Sequence, residues 1–537
     1  MNIAEILLQR AAELGDNAAI VDVQRNNVHR NNLHPNRDIS CSFRELDAAT
    51  ASVAYQLRSA GLKPGDGVLL LHPVAAELYL VLIALFRLGC VAIFLDPSAG
   101  RAHVERCCAI FPPKAFFGSP RAQLLRWMIP ALHRVPKAFC SGWFPGSQRL
   151  DLCIDPDARP SREIIPLAAE APALVTFTSG STGQPKAALR THGFLLAQHR
   201  ALEASLALRP GTRDLTTLPI FVLANLASGV TSILPDADLR SPGKIAPRPV
   251  LAQIQRHGIE TTAASPAFIS RLLDECERSG ITMPSLSSIY MGGAPVFPGL
   301  LRKAKQFCAQ AKITAVYGST EAEPMAEVAL SDISNQDFDG MEQGKGLLTG
   351  RPVSSISLRV IREQWGVPIS PLDARMFDRL MVASGEPGEI VVSGAHVLPG
   401  YLQGEGDAET KFEVDGARWH RTGDLGYMDA AGRLWLLGRC NGKIQDSRGT
   451  LYPFAVECAA MQTPAIRRAA LAALDGRRVL AIEAGKAISA EDILRSLSWA
   501  QLDQVVFLDH VPVDKRHNAK IDYVALAREL RSAGNRR

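Results

Sequence analysis

From Val68 to Pro97 the chain reads VLLLHPVAAELYLVLIALFRLGCVAIFLDP, an apolar run broken by Pro73, Glu77 and Arg87. Its pattern predicts a strand at GVLLL, a helix at AAELYLVLIALFRLG and a second strand at VAIFLD. Near-continuous apolar strands joined by a helix belong to a largely parallel sheet covered on both faces. No uncharged stretch reaches the ~20 residues of a bilayer span, so no membrane span is expected. AQIQRHGIETTAAS and GLLRKAKQFCAQAKITAVYG each read as a helix then a strand, and SLSSIYMGG reads as a strand. Turn residues and short apolar runs in GEIVVSGAHVLPGYL and GRLWLLGR predict an antiparallel β section. The polar, turn-rich CNGKIQDSRGTLYPFAVE after Arg439 suits a hinge, and the remainder alternates helix and strand. The expectation is an α/β protein in two parts. Residues 1–439 form a large domain of several subdomains, with parallel sheets, helices and a β section. Residues 440–537 form a small mobile α+β lid.

A length of 537 residues exceeds one ordinary core. Its formal charge of +5 is slight for that size and leaves no nucleic-acid partner expected. Ten cysteines without a C-x-x-C pair point to a reduced, cytoplasmic setting. The opening MNIAEILLQRAAELGD is amphipathic at helical spacing and carries Glu5, Arg10 and Glu13, unlike a secretory signal.

Chemistry concentrates in TFTSGSTGQPKAALRTHG, Thr176 to Gly193. ALVTF before the loop and KAALRT after it read as strands, so TSGSTGQP is a loop between them. A Walker A lysine is followed by Ser or Thr, whereas Lys186 is followed by Ala187. A nucleophile elbow needs G-x-S-x-G, which GSTG lacks. Glycines here let backbone amides approach an anion, Ser179, Ser181 and Thr182 add donors, and Lys186 adds charge. Taken alone, the same composition describes a Ser- and Gly-rich surface hairpin.

TSGSTGQPK resembles the phosphate loop of the adenylate-forming superfamily, which includes acyl-CoA synthetases, luciferases and peptide-synthetase adenylation domains. GGAP (Gly292, Gly293, Ala294, Pro295), YGSTE (Tyr317, Gly318, Ser319, Thr320, Glu321), TGD ending at Asp424 and GR ending at Arg439 follow in the family's order. The resemblance covers nearly the whole chain. It implies that a carboxylate attacks the α-phosphorus of ATP, giving an acyl-adenylate and pyrophosphate. Two anions must then meet, which requires positive charge and amide donors around the phosphates. The loop Thr178, Ser179, Gly180, Ser181, Thr182, Gly183 and Lys186 would hold the β- and γ-phosphates. Glu321 would be the Mg2+ ligand, its alternative being the cap of a following helix. Gly292 to Pro295 and Tyr317 would sandwich adenine, though Tyr317 alone could be a core aromatic. Asp424 would accept from the ribose hydroxyls with Arg439 beside it, the alternative being an ordinary surface ion pair. Lys520, in VPVDKRHNAKIDYVALAREL, matches the essential lysine that offsets charge at the α-phosphate. Lys186, Glu321 and Lys520 are the implied catalytic residues.

Departures from the family are informative. Ala187 and Ala519 replace glycines, and Asn441 stands where the hinge usually has Asp or Lys. Val222 in LPIFVLAN stands where many CoA ligases have histidine, and Val222, Leu223 and Ala224 are expected at the carboxylate end of a hydrophobic acid. SRGTLYP differs from the glycine-containing strand that lines the thiol tunnel. The leading reading is therefore an ATP- and Mg2+-dependent ligase that passes a hydrophobic, fatty-type acyl group to CoA or an acyl carrier. PVDKRHNAKI and the histidine-free LPIF also resemble β-lactone synthetases of bacterial olefin biosynthesis, which close a β-hydroxy acid through its own hydroxyl. A degenerate acyl- or nucleotide-binding protein is the alternative of another class.

Overall fold

The computed structural model describes residues 2–23, 38–152, 163–179, 185–485, 488–514 and 520–534. By internal contacts the chain divides into two units, residues 1–236 with 395–408, and residues 237–394 with 409–537.

The expected crossover is present in the first unit as β1 (Gly67–Leu71), α2 (Ala76–Arg87) and β2 (Val91–Phe94). The helix α1 (Phe43–Ser59) precedes them, opened by a capping box between Ser42 and Glu45. With β3 (Ala115–Gly118), β4 (Lys137–Cys140), β5 (Gln148–Arg149), β6 (Pro172–Ser179) and β7 (Pro185–Thr191), the sheet order is β5-β4-β3-β1-β2-β6-β7. All its pairs are parallel except β6–β7. Alternate side chains enter two cores. Val68, Leu70 and Phe117 face α1 and α2, while Leu69, Ile93 and Phe116 face α3 (Arg101–Ile110) and the residues after it. A wholly buried ion pair, Arg87 to Asp47 at 2.7 Å, joins α2 to α1.

The second unit contains β8 (Thr261–Ala264), β9 (Ser288–Met291), β10 (Lys312–Ser319), β11 (Ala322–Ala329) and β12 (Leu347–Pro352). The antiparallel section follows as β13 (Ser357–Ile361), β14 (Gly388–Ser393), β15 (Lys411–Val414), β16 (Ala417–Met428) and β17 (Leu434–Arg439). Their order is β13-β14-β16-β17-β12-β11-β10-β9-β8, with β15 beside β16. β8, β9 and β10 are parallel and the rest antiparallel.

β12 belongs to both parts. Leu347, Leu348 and Gly350 pair with β17, whereas Arg351 and Pro352 pair with β11. The change of partner falls at Gly350, whose φ is +85° and where a Cβ would run into the Glu327 carbonyl oxygen. Only glycine meets both conditions without strain. Elsewhere β16 is fixed to β14 by Arg421, which grips Glu389 through Nε and Nη2 at 2.7 Å each, both side chains wholly buried. Arg421 Nη1 also donates to the Val367 carbonyl at 2.6 Å.

After β17 come a short hairpin, Ile444–Asp446 with Gly449–Leu451, and the helix Pro453–Ala460. A sheet of β18 (Ile466–Leu474), β19 (Arg477–Ala484) and β20 (Gln504–Phe507) follows in that order. Helix Pro453–Ala460 packs on both β17 and β18, so the expected 439/440 boundary lies inside the second unit by contacts.

Gly350→Ala should destabilise the fold by ~1–3 kcal/mol, the scale for a non-glycine residue held in a forbidden backbone region. Thermal unfolding checks this, and an unchanged midpoint would show that β12 turns without needing glycine.

Candidate active site

In the first unit β6 and β7 form the hairpin expected from the sequence. Thr178 lies opposite Lys186 and Ser179 opposite Pro185 in its register. Gly180, Ser181, Thr182 and Gly183 lie outside the described residues, as do the side chains of Thr178 and Ser179. Lys186 is buried, its Nζ 5.5 Å from the centre of the Tyr401 ring, a cation–π contact. Tyr401 reaches it because its backbone bridges to Ala188 on β7. Gly406, with φ +90°, lies so near Lys186 Nζ that a Cβ there would collide with it. Neither Tyr401 nor Gly406 was singled out by the sequence reading, because nothing local connects residue 186 to that turn.

Val222, Leu223 and Ala224 fall on the helix Pro219–Ser228. Val222 and Ala224 are buried, Val222 in the core shared with α1 and α2, while Leu223 is half-buried against the same core.

In the second unit the polar motifs gather at strand ends. The loop Gly292, Gly293, Ala294 and Pro295 leaves the carboxyl end of β9, and Tyr317, Gly318 and Ser319 close β10 beside it. Carboxyl ends of parallel strands are where open α/β sheets bind ligands. Gly292 passes the Val316 carbonyl oxygen so closely that a Cβ would lie 3.0 Å from it.

Three motif residues meet at Asp424. The Tyr317 hydroxyl donates to its Oδ2 at 2.7 Å, and Arg439 Nη1 donates to its Oδ1 at 2.8 Å. Thr422 braces β16 here, its Oγ1 accepting from the Asp424 N–H at 3.1 Å and donating to the Ile390 carbonyl at 2.9 Å. Burial, then the Asp424 charge, hold the Tyr317 hydroxyl well above its ordinary pKa, so it stays a donor. Asp424 raises Arg439 likewise. Asp424 is mostly buried and Arg439 exposed, so this is not a pair of freely solvated surface charges.

Glu321 and Thr320 occupy the tight turn between β10 and β11, where the Glu321 N–H donates to Ser319 Oγ at 3.2 Å. A strand follows, not a helix, so Glu321 caps no helix. Two further residues join this region unannounced by any motif. His420 on β16 pairs in register with Lys411 on β15, and both are buried. His420 Nδ1 donates to the Thr410 carbonyl at 3.1 Å. Burial and the Lys411 charge push its pKa down to about 3, against the opposing pull of Glu321. His420 is therefore neutral near pH 7, with its proton on Nδ1.

Lys520 is exposed. Its N–H donates to Asp514 Oδ1 at 3.0 Å, the Asp514 N–H returns to its carbonyl at 2.8 Å, and Val513 bridges Ile521. Ala519 lies outside the described residues.

Residues 7–402 match the model of the AMP-binding enzyme family, and the chain belongs to that family. An olefin beta-lactone synthetase of Stenotrophomonas maltophilia is 31% identical, over 98% of this chain and 97% of its own. Another from Xanthomonas campestris is 31% identical over 91% of each chain. The solved structure of O-succinylbenzoate coenzyme A synthetase from Bacillus subtilis, with ATP and magnesium ion, shares the fold. Its TM-score is 0.72 at 21% identity, covering 98% of this chain and 99% of that one. The protein is thus an AMP-forming acid ligase with the α/β fold of adenylate-forming enzymes.

The crowding at Gly406 sets a test of the Lys186 environment. Gly406→Ala should lower ATP-dependent turnover by about tenfold, equivalent to some 1.4 kcal/mol, beside a loss of stability from alanine held at φ +90°. Wild-type turnover in the variant would show that Lys186 is not held by this turn.

Proposed function

We propose that the protein activates a hydrophobic β-hydroxy carboxylic acid as its acyl-adenylate and then closes it to a β-lactone. The observation that carries this reading is full-length likeness to two olefin beta-lactone synthetases, at 31% identity each. The departures agree with it. Val222 is a buried core residue on an apolar helix, so no imidazole stands at that position. The hairpin that would line a thiol's path is cross-linked, Arg448 donating to Asp446 Oδ2 at 2.9 Å and to both Asp503 oxygens at 2.8 Å.

In the first step a carboxylate oxygen of the acid bonds to the α-phosphorus of ATP and the bond to the pyrophosphate oxygen breaks. In the second, the substrate's β-hydroxyl oxygen bonds to the acyl carbon, AMP leaves with the electron pair, and the hydroxyl proton passes to solvent. Lys186 and the loop beginning at Thr178 and Ser179 would hold the β- and γ-phosphates. Gly292 to Pro295 and Tyr317 would frame adenine. Asp424 keeps lone pairs for the ribose hydroxyls while Tyr317 and Arg439 fix its plane. Lys520 would neutralise charge developing at the α-phosphate.

Magnesium, when bound, neutralises phosphate oxygens and aligns them for displacement. The residues fit such an ion. Glu321 offers one half-buried carboxylate at a turn, and among the described residues no three His, Cys, Asp or Glu side chains gather into a protein cage. Magnesium commonly takes one or two carboxylates and fills its remaining positions from phosphates and water.

We further propose that residues 440–537 move as a lid carrying Lys520, with the hinge at Asn441. The described cysteines are all unpaired, which supports residence in the cytoplasm. Transfer to CoA or a carrier thiol is the second reading, favoured by the coenzyme A synthetase fold.

A 3-hydroxy fatty acid with ATP should release AMP over many turnovers without CoA and yield the lactone. A fatty acid lacking the hydroxyl should stop at bound adenylate. Product analysis decides: if the hydroxy acid turns over only with CoA and gives its thioester, the lactone reading is wrong and the thiol ligase stands.

A further inference from the structure

The chain's positive charge is unevenly placed. Residues 97–150 hold eight Lys and Arg and one acidic residue, Glu105, an excess larger than the +5 of the entire protein. This stretch includes the helix α4 (Pro120–Met128) and the short helix Pro130–His133, both in the first unit. On α4 Leu124, Trp127 and Met128 are 53%, 51% and 72% exposed, and Trp143 in the turn after β4 is 68% exposed. Large apolar side chains in water at four such close positions carry a cost that scattered ones do not.

The patch is built, not frayed. Buried Arg126 on α4 donates through Nη2 to the Gly146 carbonyl and through Nε to Gln123 Oε1, at 3.0 Å each. Gln123, wholly buried, donates to the Phe139 carbonyl on β4 at 2.7 Å. The Trp127 ring meets Phe144 edge-on with centroids 5.0 Å apart. These contacts clamp the turn that carries Trp143 onto α4, so both tryptophans belong to one surface. Exposed Arg121 precedes the apolar side chains on α4, and exposed His133 and Arg134 follow them. The other end of the stretch adds exposed Arg149.

We propose that α4 and the turn at Trp143 form a docking surface for an anionic lipid bilayer. Tryptophans beside long apolar side chains suit the boundary between headgroups and acyl chains, and a basic flank adds attraction to anionic headgroups. No helix among the described residues is long and apolar enough to cross a membrane, so the contact is peripheral. A bilayer is also where a fatty acid substrate partitions, which gives the surface a use, although the proposal stands without it.

The test is co-sedimentation of the full chain with equimolar phosphatidylglycerol–phosphatidylcholine vesicles and with phosphatidylcholine vesicles alone. The wild type should bind the anionic vesicles at least about tenfold better, and added salt should weaken that binding. Trp127→Ser with Trp143→Ser, and separately Arg121→Glu with Arg134→Glu, should each reduce it about tenfold. Both variants should keep wild-type adenylation, which shows that they fold. Equal binding to the two vesicles, no binding to either, or variants that bind like the wild type would each overturn the proposal. An acidic protein as the real occupant would show itself as absence of vesicle binding.

Discussion

Strand β12 changes partner along its length, and the meeting of Tyr317, Asp424 and Arg439 depends on that fact. Tyr317 on β10 and Asp424 on β16 have three strands between them in the sheet order. In a flat sheet four strand spacings would set them about 19 Å apart. Their side chains instead meet at 2.7 Å. The sheet therefore folds over, and the fold passes through Gly350, where β12 leaves β17 for β11. The adjoining Thr349 hydroxyl donates to the Leu434 carbonyl at 3.0 Å, spanning the register shift at this point.

A second constraint follows from the first. β16 brings His420, Arg421, Thr422 and Asp424 into a sheet that is apolar on its packed face. Each polar group there must be paired or neutral. Arg421 is paired to Glu389 and stacked near Trp365, His420 is neutral, and Thr422 bonds backbone on both sides. Asp424 is the one member of the set that is only partly buried, and it accepts from two side-chain donors, Tyr317 and Arg439. Breaking a buried pair such as Arg421–Glu389 strands the remaining charge, typically at about 3–5 kcal/mol, a large fraction of the roughly 5–15 kcal/mol by which a domain is stable. The buried Arg421–Glu389 pair lies three residues before Asp424 on β16 and holds that stretch of the strand to β14.

Much of this was legible in sequence, for local reasons. GVLLL and VAIFLD read as buried parallel strands because their apolar runs are uninterrupted, and the ALVTF–KAALRT hairpin because its glycines and hydroxyls separate two strand-like runs. Gly406 and Tyr401 escaped because they reach Lys186 only through tertiary pairing with β7. Lys411 and His420 escaped because a charged residue in a strand reads as solvent-facing until its register partner is known. Gly350 carried no signal that separates a partner-switching glycine from one in an ordinary turn. The helix containing Val222 read as apolar in sequence, and the structure places Val222 and Ala224 in the interior with Leu223 half-buried against the same core.

If the site presents an α-phosphate to a carboxylate, isotope exchange between pyrophosphate and ATP tests it most directly. With magnesium and a 3-hydroxy fatty acid, labelled pyrophosphate should enter ATP, and omission of the acid should stop it. Lys520→Ala should slow the exchange by ~10²–10³-fold, the loss expected for one preorganised transition-state contact. Exchange that proceeds equally without any acid, or that survives Lys520→Ala at the wild-type rate, would contradict the account.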